Sequence, residues 1–270
     1  MKRIHIVGCS PRSGTTLMAS IMSSCFEIDH YIDHEERIFV RPPARGNVFL
    51  TKCPKDILVV GPLLRVNPDL YVIYMLRDPR DIICSKHGMD PDRYWASLRF
   101  WKTYAPYGRK LQEHERFIAV RYEDLVSNPD GIQDELMKRM PFLVKKANFS
   151  QYHQLAKPSK SYLDALHGVR PIATGSKGNW RNHLPRVAGQ LQLHGSIVQD
   201  LIEYGYEKDD AWLKNLEGVE PDVSASHWPE YFDKRTIVNM QRGTYKEVVK
   251  TLMRRVGITP PVLNWKRRLP

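Results

Sequence analysis

The sequence predicts an α/β fold: a central, mostly parallel sheet between two layers of helices, followed by a helical appendage. Three observations carry this expectation. Short β-branched or apolar runs recur at 3–7, 47–52, 70–76 and 117–122, and stretches of helical spacing separate them, the rhythm of βαβ units. The run Leu70-Tyr71-Val72-Ile73-Tyr74-Met75-Leu76 is continuously apolar, as a central strand covered on both faces requires. The first run passes through small residues, Gly8 to Gly14, straight into the apolar-periodic Leu17-Met18-Ala19-Ser20-Ile21-Met22, which reads as strand, tight loop and helix.

Composition bounds what this fold does. The 270 residues suit one large α/β domain with an appendage, and 42% hydrophobic residues suffice for a core. Formal net charge is +11, from 41 Lys+Arg against 30 Asp+Glu, an excess that favours anionic partners. No nucleic-acid reading module is present, so nucleic acid is not the expected partner. Cys9, Cys25, Cys53 and Cys84 show neither metal-ligand spacing nor a disulfide framework, so buried free thiols are expected. The chain shows no signal-peptide apolar region and no run of ~20 apolar residues. A cytoplasmic protein without a membrane span is the expectation, with oligomeric state left open.

Taken in order, the chain predicts a first strand and helix, then a polar segment at 27–46 holding His30, His34, Glu35, Glu36 and Arg37. Strand 47–52 follows, then a helix over 56–65 ending before Asn67-Pro68. After strand 70–76, Pro79 opens a helix carrying Ile82, Ile83 and Ser85. Helical spacing returns at 94–112, a fourth strand at 117–122, and a helix from Pro129 to about Met140. Residues 148–184 are irregular and basic, with Lys157, Lys160, Arg170, Lys177 and Arg181, the pattern of a functional loop. Helices are expected over 187–204 and 227–256, before the basic Trp265-Lys266-Arg267-Arg268. The division is a core over 1–208 and a mostly helical extension over 209–270, packed on that core. Ligands bind at the C-terminal ends of parallel strands, so the loops after the four strands are where the site should lie.

The first of those loops, Val7-Gly8-Cys9-Ser10-Pro11-Arg12-Ser13-Gly14-Thr15-Thr16, points backbone N–H groups and a helix N-terminus at one spot, a phosphate or sulfate site. It departs from the nucleotide-binding P-loop G-x-x-x-x-G-K-[ST]. Thr15 stands where that signature has Lys, and the cation, Arg12, lies inside the loop. Such a loop is poorly equipped for a triphosphate and its metal. After the third strand, Arg77 at the strand end and Ser85 eight residues on make a sensible monophosphate clamp. The alternative is a strand-end salt bridge from Arg77 to Asp78 or Asp81.

Pro11-Arg12-Ser13-Gly14-Thr15-Thr16-Leu17 resembles the 5′-phosphosulfate loop of sulfotransferases that use 3′-phosphoadenosine 5′-phosphosulfate (PAPS), a P-loop-like family. Arg77 and Ser85 fall on the family's 3′-phosphate clamp. Val120-Arg121-Tyr122-Glu123-Asp124-Leu125 resembles its strand-end Y-E-D-L motif, and Ser176-Lys177-Gly178-Asn179-Trp180-Arg181-Asn182-His183-Leu184 its late basic loop. The resemblance covers about residues 3–206, and Glu35-Glu36-Arg37 with Thr51-Lys52-Cys53-Pro54 looks most like the tyrosylprotein branch.

The resemblance implies transfer of a sulfuryl group from PAPS to an acceptor hydroxyl or amine by in-line displacement, without a metal. It assigns Arg12, Ser13, Gly14, Thr15 and Thr16 to the 5′-phosphosulfate, and Arg77 and Ser85 to the 3′-phosphate. Tyr122, Lys177 and Gly178 join the nucleotide site, with Lys177 or Arg181 as the late cation. Lys52 is placed on the bridging oxygen, Arg12 beside the transferring group, and Glu36 as the base, with Glu35, His34 and His30 as its competitors. Ser159 or Ser161 adds a donor near the sulfonate. Trp180 is either part of a closing loop or a core aromatic. The acceptor stays open among carbohydrate, small metabolite, lipid and peptide. The competing readings are a kinase or NTPase with a degenerate loop, and a nucleotide-binding module without chemistry.

Overall fold

The computed structural model describes residues 1–156, 163, 168–228 and 234–260. Lys157, Lys160, Ser159, Ser161 and the basic cluster 265–268 lie outside the described residues. Five strands form one sheet in the order β2-β3-β1-β4-β7, every neighbouring pair parallel. They are β1 (Lys2–Gly8), β2 (His30–Glu35), β3 (Val48–Lys52), β4 (Leu70–Leu76) and β7 (Phe117–Arg121). A separate antiparallel hairpin, β5 (Lys86–His87) and β6 (Asp90–Tyr94), stands outside the sheet.

The strands alternate their side chains between two cores. Ile4 and Ile6 of β1 join Ile73 and Met75 of β4 on one face, under α1 (Thr15–Cys25), α5 (Tyr122–Ser127) and α6 (Pro129–Arg139). Val7 joins Val72, Tyr74 and Leu76 on the other, under α2 (Val60–Val66), α3 (Pro79–Ile83) and α4 (Leu98–Arg109). Burial of both faces drives this three-layer assembly, and it explains why β4 is apolar at every position. Tyr74 lies so close to α4 that a Cβ on Gly108 would sit 2.3 Å from its ring carbon Cζ, so the helix tolerates a glycine there to keep the contact. Because β1 lies between β3 and β4, the loops after these three strands open on one spot.

The sequence pattern differs from the structure in four places. The polar segment 27–46 contains an edge strand, β2, whose half-exposed side chains give it no apolar alternation. The helix expected over 56–65 is a 3₁₀ turn (Pro54–Leu58) followed by α2. The helix opened by Pro79 ends at Ile83, and Ser85 lies beyond it, its N–H donating to Ile82 O at 3.0 Å. The helix expected over 187–204 is two, Leu184–His194 and Val198–Glu203, parted at Gly195, which takes φ 78°.

Beyond the sheet, Trp212 packs into the core, and a helix, Lys234–Arg255, lies against α2 through Ile237, Met240 and Val248. No helix among the described residues is long and apolar enough to cross a membrane. The four cysteines are buried and unpaired, and burial pushes the Cys9 thiol up to about 12.

Candidate functional site

The loop after β1 turns twice through left-handed backbone, at Arg12 (φ 69°) and Gly14 (φ 95°). Gly14 is required there twice over: a side chain would be strained at that φ, and its Cβ would meet the Tyr122 ring at 2.6 Å. The turn delivers Thr15 to the first position of α1, where unpaired helical N–H groups attract an anion. Ser13 departs from the expected arrangement. Its hydroxyl is fully buried, sits where a Cβ on Gly8 would come within 2.2 Å, and does not line the cavity.

A cavity of about 980 Å³ opens above the C-terminal ends of β1, β3 and β4. Arg12, Gly14, Thr15, Thr16, Lys52, Arg77, Ser85 and Tyr122 all line it. Arg12 donates from Nε to Ser85 Oγ at 3.0 Å. Arg77 donates to Arg12 O and to Ser176 O, both at 3.0 Å, and lies over the Tyr122 ring at 4.3 Å. These contacts tie the first loop, the β4 end, the β7 end and the late loop into one unit.

The two acids beside Arg77 are engaged elsewhere, which decides against the strand-end salt bridge. Asp78 accepts from Arg80 (Nη2 at 2.7 Å), and that guanidinium lies over both the Trp180 and Trp212 rings. Asp81 accepts the backbone N–H groups of Gly178 at 2.7 Å and Trp180 at 2.9 Å. Arg77 keeps a buried Nε with no partner. Burial and the neighbouring Arg77 charge push the Arg12 guanidinium down to about 10. Two adjacent, largely desolvated guanidiniums repel each other, and an anion between them relieves that repulsion.

The late loop is placed differently from expectation. Trp180 is a core aromatic, 1% exposed. Lys177 points its ammonium at Ser127 Oγ, 3.5 Å away, and neither Lys177 nor Gly178 lines the cavity. Gly178 instead takes φ 72° so that its N–H reaches Asp81. Arg181 lies over the Trp180 ring at 4.4 Å. The loop's contributions to the cavity wall are Ser176, Asn179 and His183.

On the opposite side of β1, the structure places Glu35, and not Glu36, in the cavity wall. Between Tyr31↔Leu50 and Glu35↔Lys52, β2 advances four residues while β3 advances two, an irregularity of the bulge kind that re-aims side chains. Glu35 therefore stands in register beside Lys52. Glu36 is turned out of the cavity: its carboxylate accepts from Arg37 N at 2.8 Å and lies 3.8 Å from His34 Nε2. Lys52 is 4% exposed. Burial lowers its pKa, while Glu35 and Asp33 act in the raising direction. His34 also lines the cavity; His30 does not, its ring meeting Arg45 O at 2.7 Å.

Two features carry little signal in the sequence. Asp56, fully buried, accepts from Arg37 Nε at 2.5 Å and Ile38 N at 2.6 Å, fixing the chain just after Glu35 and Glu36. The far arm of the cavity is aromatic: Trp95 stacks between His87 (4.2 Å) and His227 (4.1 Å), beside Trp228. The two-residue Gly88-Met89 connection of the β5–β6 hairpin is the sole local clue to this arm, since it folds His87 toward Trp95.

Comparison with known proteins bears on what this arrangement belongs to. The model of the sulfotransferase family matches residues 29–140. These residues are similar to that family. The segment runs from β2 to α6 and includes Glu35, Lys52, Arg77, Ser85 and Tyr122; the loop at 8–16 precedes it. Sulfotransferase 2A6 of Rattus norvegicus is 26% identical over 48% of this chain, and the chain spans about half (55%) of that relative's length. Among solved structures, the sulfotransferase domain of the Synechococcus PCC 7002 olefin synthase aligns with a TM-score of 0.45 at 15% identity, covering 67% of this chain and 87% of that one. The sulfotransferase domain from the curacin biosynthetic pathway gives 0.46 at 15% identity, covering 67% and 91%.

Proposed function

We propose that the chain transfers a sulfuryl group from PAPS to an acceptor hydroxyl or amine. The observation that carries this is the placement of the half-buried Arg12 and the buried Arg77 and Lys52 around one cavity, at a left-handed turn that opens a helix. Two phosphate-type groups fit there. The 5′-phosphosulfate takes the N–H groups and hydroxyls at Thr15 and Thr16 with the Arg12 guanidinium. The 3′-phosphate takes Arg77 and Ser85, with Tyr122 beside them.

The chemistry then divides among this chain's own side chains. Glu35 removes the acceptor proton. Lys52, desolvated and adjacent, meets the charge that builds on the bridging oxygen as the sulfur–oxygen bond breaks. A sulfonyl group carries less negative charge than a γ-phosphoryl group, so fixed cations serve where phosphoryl transfer uses a metal ion. The core over 1–208, with the remainder packed on it, is the unit we assign this activity.

The product nucleotide, 3′-phosphoadenosine 5′-phosphate, should raise the melting temperature without Mg²⁺. At about 100 times its Kd, linkage gives ~2.7 kcal/mol of stabilisation. ATP with Mg²⁺ should do much less, and the reverse ranking would favour the kinase reading.

Arg77→Ala tests the clamp. It should weaken the 3′-phosphorylated nucleotide by ~1.5–3 kcal/mol, the range for a charge-assisted contact, and adenosine 5′-phosphosulfate by much less. Titration calorimetry with both nucleotides measures the difference, and equal losses would make Arg77 structural.

A further inference from the structure

The helix Lys234–Arg255 presents a second surface, separate from the cavity. Its inner side is accounted for: Ile237, Met240, Thr244 and Val248 pack inward, and Thr236 and Met240 reach the cavity wall. Val238, Tyr245, Val249 and Leu252 are 44–64% exposed, and Val256, just past the helix, is 72% exposed. At 3.6 residues per turn these positions fall on one stripe about 60° wide, on the opposite side from Thr236 and Met240.

Charge says what fits that stripe. The helix carries seven Lys and Arg and a single acid, Glu247, which pairs with Lys250 at 2.5 Å. The exposed Arg235, Arg242 and Lys246 lie along one flank of the stripe. A second copy of the helix would bring the same cations together, and residues 261–270 add Lys266, Arg267 and Arg268 with no acid. Both would be repelled. A surface that offers negative charge beside an apolar interior meets the stripe and its flank at once, and a helix with an apolar stripe and a Lys/Arg-rich face is built to lie in such an interface.

We propose that this helix docks the protein peripherally on an anionic lipid bilayer, with Val238, Tyr245, Val249, Leu252 and Val256 in the headgroup boundary and the cationic flank on the lipid phosphates. The proposal is independent of the reaction proposed above, because the stripe faces away from the cavity.

Co-sedimentation of the full chain with vesicles tests it. The protein should pellet with vesicles of phosphatidylcholine mixed with phosphatidylglycerol, stay soluble with phosphatidylcholine alone, and be released by high salt. Each surface cation is worth about 1 kcal/mol at an anionic membrane, about fivefold in affinity. Arg242→Glu with Lys246→Glu should therefore weaken binding more than tenfold, and Val249→Asp with Leu252→Asp should abolish it. All four positions are exposed, so an unchanged melting temperature is expected, and the cation pair keeps the test valid if the apolar pair misfolds. No vesicle binding, equal binding to neutral vesicles, or a concentration-dependent dimer dissolved by Val249→Asp would each overturn the proposal, the last by assigning the stripe to a second copy.

Discussion

Glu35→Gln is expected to lower kcat by ~10²–10⁴-fold, the usual range for losing a general base, while product-nucleotide affinity stays within a few-fold. Two adjacent acids make this a sharp test, because sequence cannot tell them apart and the fold can. Glu35 stands opposite Lys52 across the β2–β3 ladder and lines the cavity. Glu36 accepts from the N–H of Arg37 and faces away. Glutamine keeps the size and hydrogen-bonding reach of the side chain but cannot take a proton, so the loss belongs to kcat. Glu36→Gln should leave turnover within a few-fold. If Glu36→Gln alone is inactive, the base is Glu36 and the local geometry rearranges on substrate binding. Comparable turnover in both variants would move the role to His34, which shares the cavity wall.

This pair also shows where sequence reasoning stops. Strands β1, β3, β4 and β7 were legible because both sheet faces are buried, so the apolar runs carry the signal. The loop at 8–16 was legible because its conformation demands glycine and small residues at fixed places. Arg77 was legible by position, at the end of the clearest strand, and Ser85 by its spacing eight residues on. The edge strand β2 was not, since an exposed edge places little constraint on side-chain polarity. The acid facing Lys52 depends on two extra residues in that edge strand, and register slips of this kind leave no mark in local composition. Lys177 illustrates the opposite error. It has the right charge in the right loop, but Asp81 holds the neighbouring backbone by two N–H groups and the Lys177 side chain extends to Ser127. Likewise the Trp95 stack joins residues from the hairpin and from position 227, a pairing that only the tertiary fold creates.

Asp56→Ala is expected to destabilise the fold by ~3–5 kcal/mol, the cost of removing one partner from a buried charged group. Asp56 is fully buried between three elements. It accepts from the Arg37 guanidinium at Oδ1 (2.5 Å) and the Ile38 N–H at Oδ2 (2.6 Å), and His5 Nε2 lies 3.2 Å from Oδ2. Alanine leaves the Arg37 Nε and the Ile38 N–H without this acceptor and removes the negative charge beside His5. His5 Nδ1 meets Thr51 Oγ1 at 2.7 Å; with the hydroxyl donating there, the imidazole is neutral and its proton sits on Nε2, toward Asp56. Burial holds the His5 pKa below its usual 6.5, against the pull of Asp56. The folded chain therefore declines a proton that the unfolded chain accepts. Stability should be fully present above about pH 6.5 and fall as pH drops from there toward the lower folded value. Urea unfolding of the parent and of His5→Gln across that range measures this: the parent's slope between pH 6.5 and the folded value should flatten in the variant. Because Asp56 anchors the chain beside Glu35, Asp56→Ala should also lose turnover, whereas Asp56→Asn, which keeps an acceptor for Ile38, should lose less of both. An Asp56→Ala protein as stable as its parent would show that the cluster is not what fixes the wall carrying Glu35.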